Sequence, residues 1–237
     1  MRGSAQAGGQ IHQHSGWLVP FCVLLVLLAL STAVLLYYLR PLTLPAGPPA
    51  TMPTPVALSV DGVRFRIPAN YLEDAAARHG GAQQSVTLFA LLPGFAGYSG
   101  HAAAAFAGNA PDSPVLHLTL RAMGNIVPPA ERLARLYRPY IADPKGHADS
   151  FGLTRYDFQS GSGYDGDELY AGAEPDGPLL LLCERPAQDL PGPDCFVIDR
   201  PVAGDVGVTW RFKRALLSQW RSIAAGVDRL MARFRAG

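Results

Sequence analysis

The segment Trp17–Leu39 contains no charged residue, is almost entirely apolar, and is followed directly by Arg40. A helix of these 23 residues would be about 34 Å long, enough to cross a hydrocarbon core about 30 Å thick. Trp17 at one end and Tyr37 and Tyr38 at the other suit the two membrane interfaces. We therefore expect a transmembrane anchor over residues 17–39, with the lipid bilayer as its partner. A cleaved signal peptide is the alternative, although its apolar core is usually shorter.

Slightly more positive charges lie close before the apolar segment than close after it. Arg2 and the amino terminus precede it, whereas only Arg40 lies between its end and Arg64. The positive-inside rule then favours a short cytoplasmic tail over residues 1–16 and a periplasmic domain after the helix. Arginine is common and lysine scarce, which is typical of a GC-rich bacterial genome. We expect a single-pass protein of a bacterial inner membrane.

A proline-rich linker follows the apolar segment. Pro41–Pro55 contains six prolines and no charged residue. Such a segment favours extended polyproline II structure and acts as a semi-rigid spacer. We assign residues 40–55 to the linker and residues 56–237 to one folded domain, which is long enough for a substantial core.

Alternating apolar residues indicate strands throughout residues 56–237. Val56–Val60 and Val63–Ile67 flank Asp61-Gly62, and this arrangement is the strongest short signal of a β-hairpin. Helices are expected over Tyr71–His79 and Pro129–Tyr140. Further strands are expected at residues 85–92, 115–123, 153–158, 167–173, 179–183, 195–199 and 206–212. Because short turns join most of these strands, we predict an α+β domain with a mainly antiparallel sheet.

The chain ends in a predicted amphipathic helix. From Lys213 onward, apolar residues recur at helical spacing, from Leu216 through Trp220 and Val227 to Phe234. A helix with one apolar face buries that face against another element. We expect this helix to cover the sheet.

Cys183 and Cys195 are the two cysteines of the predicted domain, and each adjoins a predicted strand. The residues between them are rich in turn formers, so the spacing favours a hairpin closed by a disulfide. Such a bond is typical of an oxidising compartment, in agreement with a periplasmic domain. The alternative is two unpaired cysteines that act as small hydrophobic side chains.

Charge and motifs exclude several classes of function. The chain has 20 basic and 19 acidic residues, a formal net charge of +1 that does not favour nucleic-acid binding. Gly161–Gly166 matches Gly-x-Gly-x-x-Gly, but an acidic, strand-like sequence follows it where a dinucleotide site needs a helix. Neither Gly-x-Ser-x-Gly nor His-Glu-x-x-His occurs. We therefore predict no catalytic residue, no cofactor and no metal site.

Pro93–Pro114 is the best candidate for a functional loop, because connections of about 22 residues are uncommon in compact domains. It carries Phe95, Tyr98 and Phe106 among small residues, and exposed aromatic anchors suit protein contacts. The alternative, with equal weight, is a short Ala-rich helix over His101–Ala107 that packs against the domain.

Arg64 and Arg66 alternate with Phe65, so both point to one face of a strand. With Arg121 they form either a surface for an anion or an acidic partner, or an ordinary solvated face.

These observations favour a non-enzymatic accessory protein of the cell envelope: a membrane-anchored domain that binds an envelope protein or a membrane complex. The alternative is a membrane-anchored hydrolase whose site is assembled from residues scattered along the sequence. A cluster of His, Asp and Ser side chains in the folded domain would favour the enzyme. An exposed apolar patch around Phe95–Phe106 would favour the binding protein.

Overall fold

The computed structural model describes residues 17–39, 47–124, 127–187 and 192–236. The predicted tail, residues 1–16, and the first part of the predicted linker, residues 40–46, lie outside these ranges. The chain divides into two compact units, Met1–Pro45 and Ala46–Gly237.

The first unit contains helix α1, Leu18–Leu39, which is 22 residues long and agrees with the helix predicted there. The side chains of residues 19–35 are all exposed, and Leu24, for example, has 62 % of its surface accessible. Within the residues described with their side chains, no helix is both long enough and apolar enough to cross a membrane. The helical conformation is therefore observed, while its insertion in a membrane stays a prediction.

The second unit is built mainly from antiparallel strands. Its strands are β1 (Pro55–Val60), β2 (Val63–Pro68), β3 (Gly81–Gln83), β4 (Ser85–Leu91), β5 (Val115–Ala122), β6 (His147–Ala148), β7 (Leu153–Asp157), β8 (Asp167–Glu174), β9 (Gly177–Glu184), β10 (Asp194–Ala203) and β11 (Val206–Lys213). A large sheet has the order β4-β5-β11-β10-β9-β8-β7-β6, and a small sheet has the order β2-β1-β3. Every neighbouring pair of the large sheet runs antiparallel, which confirms the predicted fold class for this unit.

The helices of this unit are shorter, apart from the last. They are α2 (Ala103–Ala107), α3 (Pro129–Arg132), which continues through a π-helical turn (Leu133–Tyr137) and a 3-10 turn (Arg138–Tyr140), and α4 (Trp220–Ala236), which follows a 3-10 turn (Arg214–Gln219).

One predicted helix and two unpredicted strands separate the structure from the local predictions. The helix expected over Tyr71–His79 is wrong: two short 3-10 turns, Ala69–Tyr71 and Ala76–His79, are found instead. The helix is interrupted because Leu72 pairs with Leu88 of β4 and the Glu73 amide donates to the Thr87 carbonyl. Strands β3 and β6 were not predicted, since three and two residues are too few to show alternation. Strand β3 pairs with β1 in parallel, and β6 pairs with β7 antiparallel.

The core of the second unit lies between the inner faces of the two sheets and the apolar face of α4. Trp220, Ile223, Val227 and Phe234 of this helix are each at most 1 % exposed, so the predicted packing of the helix is confirmed. Gly172 of β8 makes room for this packing, because a Cβ atom there would lie 2.3 Å from Cη2 of Trp220.

A partly buried polar cluster holds the chain just before α4. Arg214 donates to the Glu168 carboxylate and to the Tyr170 hydroxyl, which itself donates to Glu168 at 2.8 Å. Burial acts to raise the pKa of Glu168, but the hydrogen bonds from Arg214 and Tyr170 outweigh it and lower that pKa overall. Burial and the hydrogen bond to Glu168 raise the pKa of Tyr170 to about 12.

Cys183 of β9 and Cys195 of β10 form the predicted disulfide between paired residues of neighbouring strands. Both side chains are fully buried in the core. The bond closes the connection between β9 and β10, of which residues 188–191 lie outside the described ranges.

Candidate functional site: the open face of the large sheet

The large sheet buries one face in the core and leaves part of the other uncovered. Side chains alternate between the two faces along each strand. We call the outward side of β4, β5, β11 and β10 the open face. Thr87, Thr119 and Thr209 lie directly opposite one another on β4, β5 and β11, and they form a half-buried row across it.

A second row crosses the open face beside the threonines. His117 of β5 pairs with Phe89 on one side and with Arg211 on the other, and Arg211 in turn pairs with Phe196 of β10. The threonine row, three members of the second row (His117, Arg211 and Phe196) and the nearby Glu73 line a shallow depression of about 310 Å³. Its chemistry is mixed, with hydroxyl groups, an imidazole and a guanidinium beside a phenyl ring.

The charged groups of the open face are balanced in pairs. Arg211 Nη1 lies 3.0 Å from Asp194 Oδ2, and His117 Nδ1 lies 3.5 Å from Glu73 Oε2. The Arg211 side chain is nevertheless 46 % exposed, so it keeps donors free for a partner. A surface of this kind is suited to polar contacts with a protein more than to attraction by net charge.

The predicted interaction loop is divided by the fold. Tyr98 and Phe106 pack edge-on against Phe89 of the open face, with ring centroids 6.2 and 4.9 Å from it. Helix α2 carries Phe106, so the Ala-rich helix expected over His101–Ala107 forms in part. Tyr98 and Phe106 are half-buried and leave Phe89 only 5 % exposed. These aromatic side chains form one border of the open face.

Phe95 lies apart from the other two aromatic residues. Its ring packs against α4 at Gly226, where a Cβ atom would lie 2.0 Å from Phe95 Cζ. The Tyr71 hydroxyl donates to the Phe95 carbonyl at 2.9 Å and holds the backbone there. Phe95 therefore belongs to the packing of the C-terminal helix, while its part in an interaction stays a prediction.

The opposite border of the open face is the helical segment 129–140. Tyr137 packs with Ile141 and Phe158 on the outward side chains Leu169 and Leu180 of the large sheet. Leu136 and Tyr140 remain 50 % and 43 % exposed. Leu136 lies in the π-helical turn Leu133–Tyr137, whose wider winding spaces side chains differently around the axis than an α-helix does. The result is an exposed apolar pair beside the open face.

Arg132 fastens this segment to the sheet. The pairing of β9 with β10 includes Cys183↔Cys195 and Leu182↔Phe196, and β10 is irregular between Val197 and Arg200. The Arg132 side chain, only 8 % exposed, donates to the Ile198 carbonyl there and lies 4.0 Å from an Asp199 carboxylate oxygen. Asp199 has a left-handed backbone, with φ at 56°. A lone arginine in the sequence carries no signal of this role.

Arg121 does not join Arg64 and Arg66, which corrects the three-arginine surface considered from the sequence. It projects from β5 on the open face and binds the Asp199 carboxylate at 2.7 Å. Arg64 and Arg66 belong to the small sheet. The sequence predicted the alternation of side chains between the two faces of β5 and of β2. It did not show which sheet each strand joins.

The open face has features that suit the binding of a protein. Within the described residues, no group of three His, Cys, Asp or Glu side chains could hold a metal ion. The open face instead offers a rigid sheet floor between an aromatic border and an exposed apolar pair, which is the composition of a protein contact surface.

Comparison with known proteins shows a shared fold. No family of related sequences matches this chain, and no curated protein matches it either. The chain is similar in structure to Smlt3025, an immunity protein of the Stenotrophomonas maltophilia type IV secretion system, with a TM-score of 0.52 and 19 % identity. The match covers 77 % of this chain and 94 % of that chain.

Proposed function

We propose that this chain is an immunity-type protein of the bacterial envelope, which binds and neutralises a toxic protein on the periplasmic side of the inner membrane. The observation that carries the proposal is the fold shared with an immunity protein over 94 % of that protein's chain. The disulfide Cys183–Cys195 supports an oxidising compartment, since such bonds are rare in the cytosol.

Helix α1 is proposed as the membrane anchor. It has 22 residues without a charged side chain, and its described apolar residues are exposed in a unit of their own. Exposed apolar residues in this number are costly in water and suit a hydrocarbon environment. The anchor keeps the domain where a toxin that attacks the envelope acts.

The open face is the proposed contact surface for the toxin. Immunity proteins of colicin nucleases bind their toxins among the tightest complexes known, and they need a preorganised surface. The paired strands of the open face meet that need because their backbone hydrogen bonds hold the floor rigid. The borders of the open face carry aromatic and apolar anchors, namely Tyr98, Phe106, Leu136 and Tyr140.

The test starts with the full-length protein cross-linked in cells, extracted in mild detergent and purified with whatever is bound. Each captured protein is then expressed alone in the periplasm, with and without this chain. The proposal expects a captured protein that stops growth alone and is harmless when this chain is present. A set of captured proteins without toxicity would refute the immunity function.

Two matched variants locate the surface. Thr119→Arg places an unpaired guanidinium at the centre of the open face, where we expect it to weaken binding by about 30-fold or more. Ala225→Arg adds the same side chain at an exposed position of α4 and is expected to protect cells like the parent. Equal protection by both variants would exclude the open face as the contact surface.

A further inference from the structure

The small sheet carries a basic groove on its outward side. In β1 and β2 the inward residues, such as Val60 and Phe65, join the core. The outward residues include Arg64 and Arg66, which lie opposite Ser59 and Ala57. Arg235 of α4 and Ala82 of β3 also line the groove, whose volume is about 700 Å³. The basic groove and the open face belong to different sheets, and each lies on the side of its sheet that faces away from the shared core.

The groove has positive charge without a counterion of its own. None of its lining residues is acidic. Within the described parts of the chain, neither Arg64 nor Arg66 forms an ion pair, whereas Arg121 and Arg200 elsewhere in the unit each bind a carboxylate. Exposed guanidinium groups above a floor of small side chains leave room for an anionic group, and the planar guanidinium fork matches a phosphate in particular.

The segment that leads to α1 is held on the domain near this groove. The Arg78 guanidinium donates to the Pro48 carbonyl at 2.7 Å, and the Ala69 amide donates to the Thr54 carbonyl at 2.8 Å. Arg78 belongs to the 3-10 turn just before β3, one of the strands that line the groove. In the sequence only residues 40–47 separate the end of α1 from Pro48, and a chain of that length spans at most about 32 Å.

We propose that the basic groove binds the phosphate groups of anionic phospholipids in the membrane that carries α1, and so turns the open face away from the bilayer. The inference rests on the proposed anchor. Charge complementarity favours a phosphate, and the short tether favours a lipid over a separate acidic protein. Docked in this way, the domain presents the open face to a toxin that approaches from the periplasm.

The experiment uses the full-length chain with Cys22→Ser, reconstituted in vesicles that carry a head-group quencher. A fluorophore is attached at Ser59→Cys in the groove or at Thr119→Cys on the open face. Vesicles consist of phosphatidylcholine, with or without phosphatidylglycerol. We expect strong quenching of the groove label in phosphatidylglycerol vesicles, at least threefold less for the open-face label, and loss of the difference in high salt.

A pair of charge reversals provides the control. Arg64→Glu with Arg66→Glu is expected to reduce lipid-dependent quenching about tenfold or more, since each basic group near an anionic surface strengthens binding several-fold. Arg138→Glu with Lys145→Glu makes the same change in net charge at other exposed positions and is expected to leave quenching unchanged. Equal quenching in both kinds of vesicle would overturn the proposal. The proposal would also be overturned if the parent showed no lipid-dependent quenching while the groove variant lost toxin neutralisation. That result would indicate that the groove binds an acidic protein segment instead.

Failure of the anchor is distinguished by flotation. If the full-length chain does not float with pure phosphatidylcholine vesicles at high salt, α1 is not an anchor. The dependence of quenching on phosphatidylglycerol still reports on the groove in that case, and toxin capture by the open face is measured separately.

Discussion

Replacement of Gly226 by alanine is expected to lower the free energy of unfolding when Phe95 is present and to raise it when Phe95 is replaced by alanine. Gly226 is buried in α4, and a Cβ atom there would lie 2.0 Å from Phe95 Cζ. The ring cannot retreat with its backbone, because the Tyr71 hydroxyl binds the Phe95 carbonyl at 2.9 Å. The added methyl group must therefore displace the phenyl ring from the helix.

The magnitude follows from two opposing contributions. Glycine to alanine within a helix stabilises by about 1 kcal/mol through backbone entropy. Overpacking of the added methyl group against Phe95 lowers the free energy of unfolding by about 1–3 kcal/mol. This figure includes the loss of the contact that the half-buried Phe95 ring makes with the helix. Gly226→Ala alone should thus lower the free energy of unfolding by about 0–2 kcal/mol. In a Phe95→Ala background only the backbone-entropy contribution remains, and Gly226→Ala should raise the free energy of unfolding by about 1 kcal/mol.

The assay is urea unfolding of the full-length protein in mild detergent, followed by the fluorescence of the buried Trp210 and Trp220. The double-mutant cycle consists of the parent, the two single variants and the double variant. If the free energy of unfolding falls with urea at the same slope in all four, a change in the midpoint reports a change in stability. Stabilisation of about 1 kcal/mol by Gly226→Ala in both backgrounds would refute the contact between Phe95 and α4.

Two further predictions concern the disulfide and the polar cluster before α4. Replacement of Cys183 and Cys195 by serine should lower the free energy of unfolding by about 3 kcal/mol, the chain-entropy value for a loop of this length, and unfolding that is equal to the parent under oxidising conditions would contradict it. Glu168→Gln should destabilise by about 1.5–3 kcal/mol at neutral pH, because the carboxylate accepts hydrogen bonds from Arg214 and Tyr170. Since the folded state lowers the pKa of Glu168 from its usual value near 4.5, the carboxylate's contribution is complete above that pH and is lost as the pH falls through the lowered pKa. Parent and variant should therefore converge in stability in acid, and a difference that is constant from pH 7 to pH 3 would contradict the assignment.

Local features of the sequence determined several elements of the structure. The uncharged segment forms α1, and Asp61-Gly62 forms the hairpin turn with positive φ at both residues. The disulfide and the apolar face of the last helix were also predicted. These features depend on hydrophobic periodicity and turn chemistry, which neighbouring residues express without help from the rest of the chain.

The candidate site depends on contacts between residues far apart in the sequence. Thr87, Thr119 and Thr209 come together only because β5 lies between β4 and β11, an order that no local pattern contains. The same order places Arg121 beside Asp199 and leaves Arg64 in the small sheet. Alternation along a strand shows which side chains share a face, but strand order and register decide which faces meet, and these are set by tertiary packing.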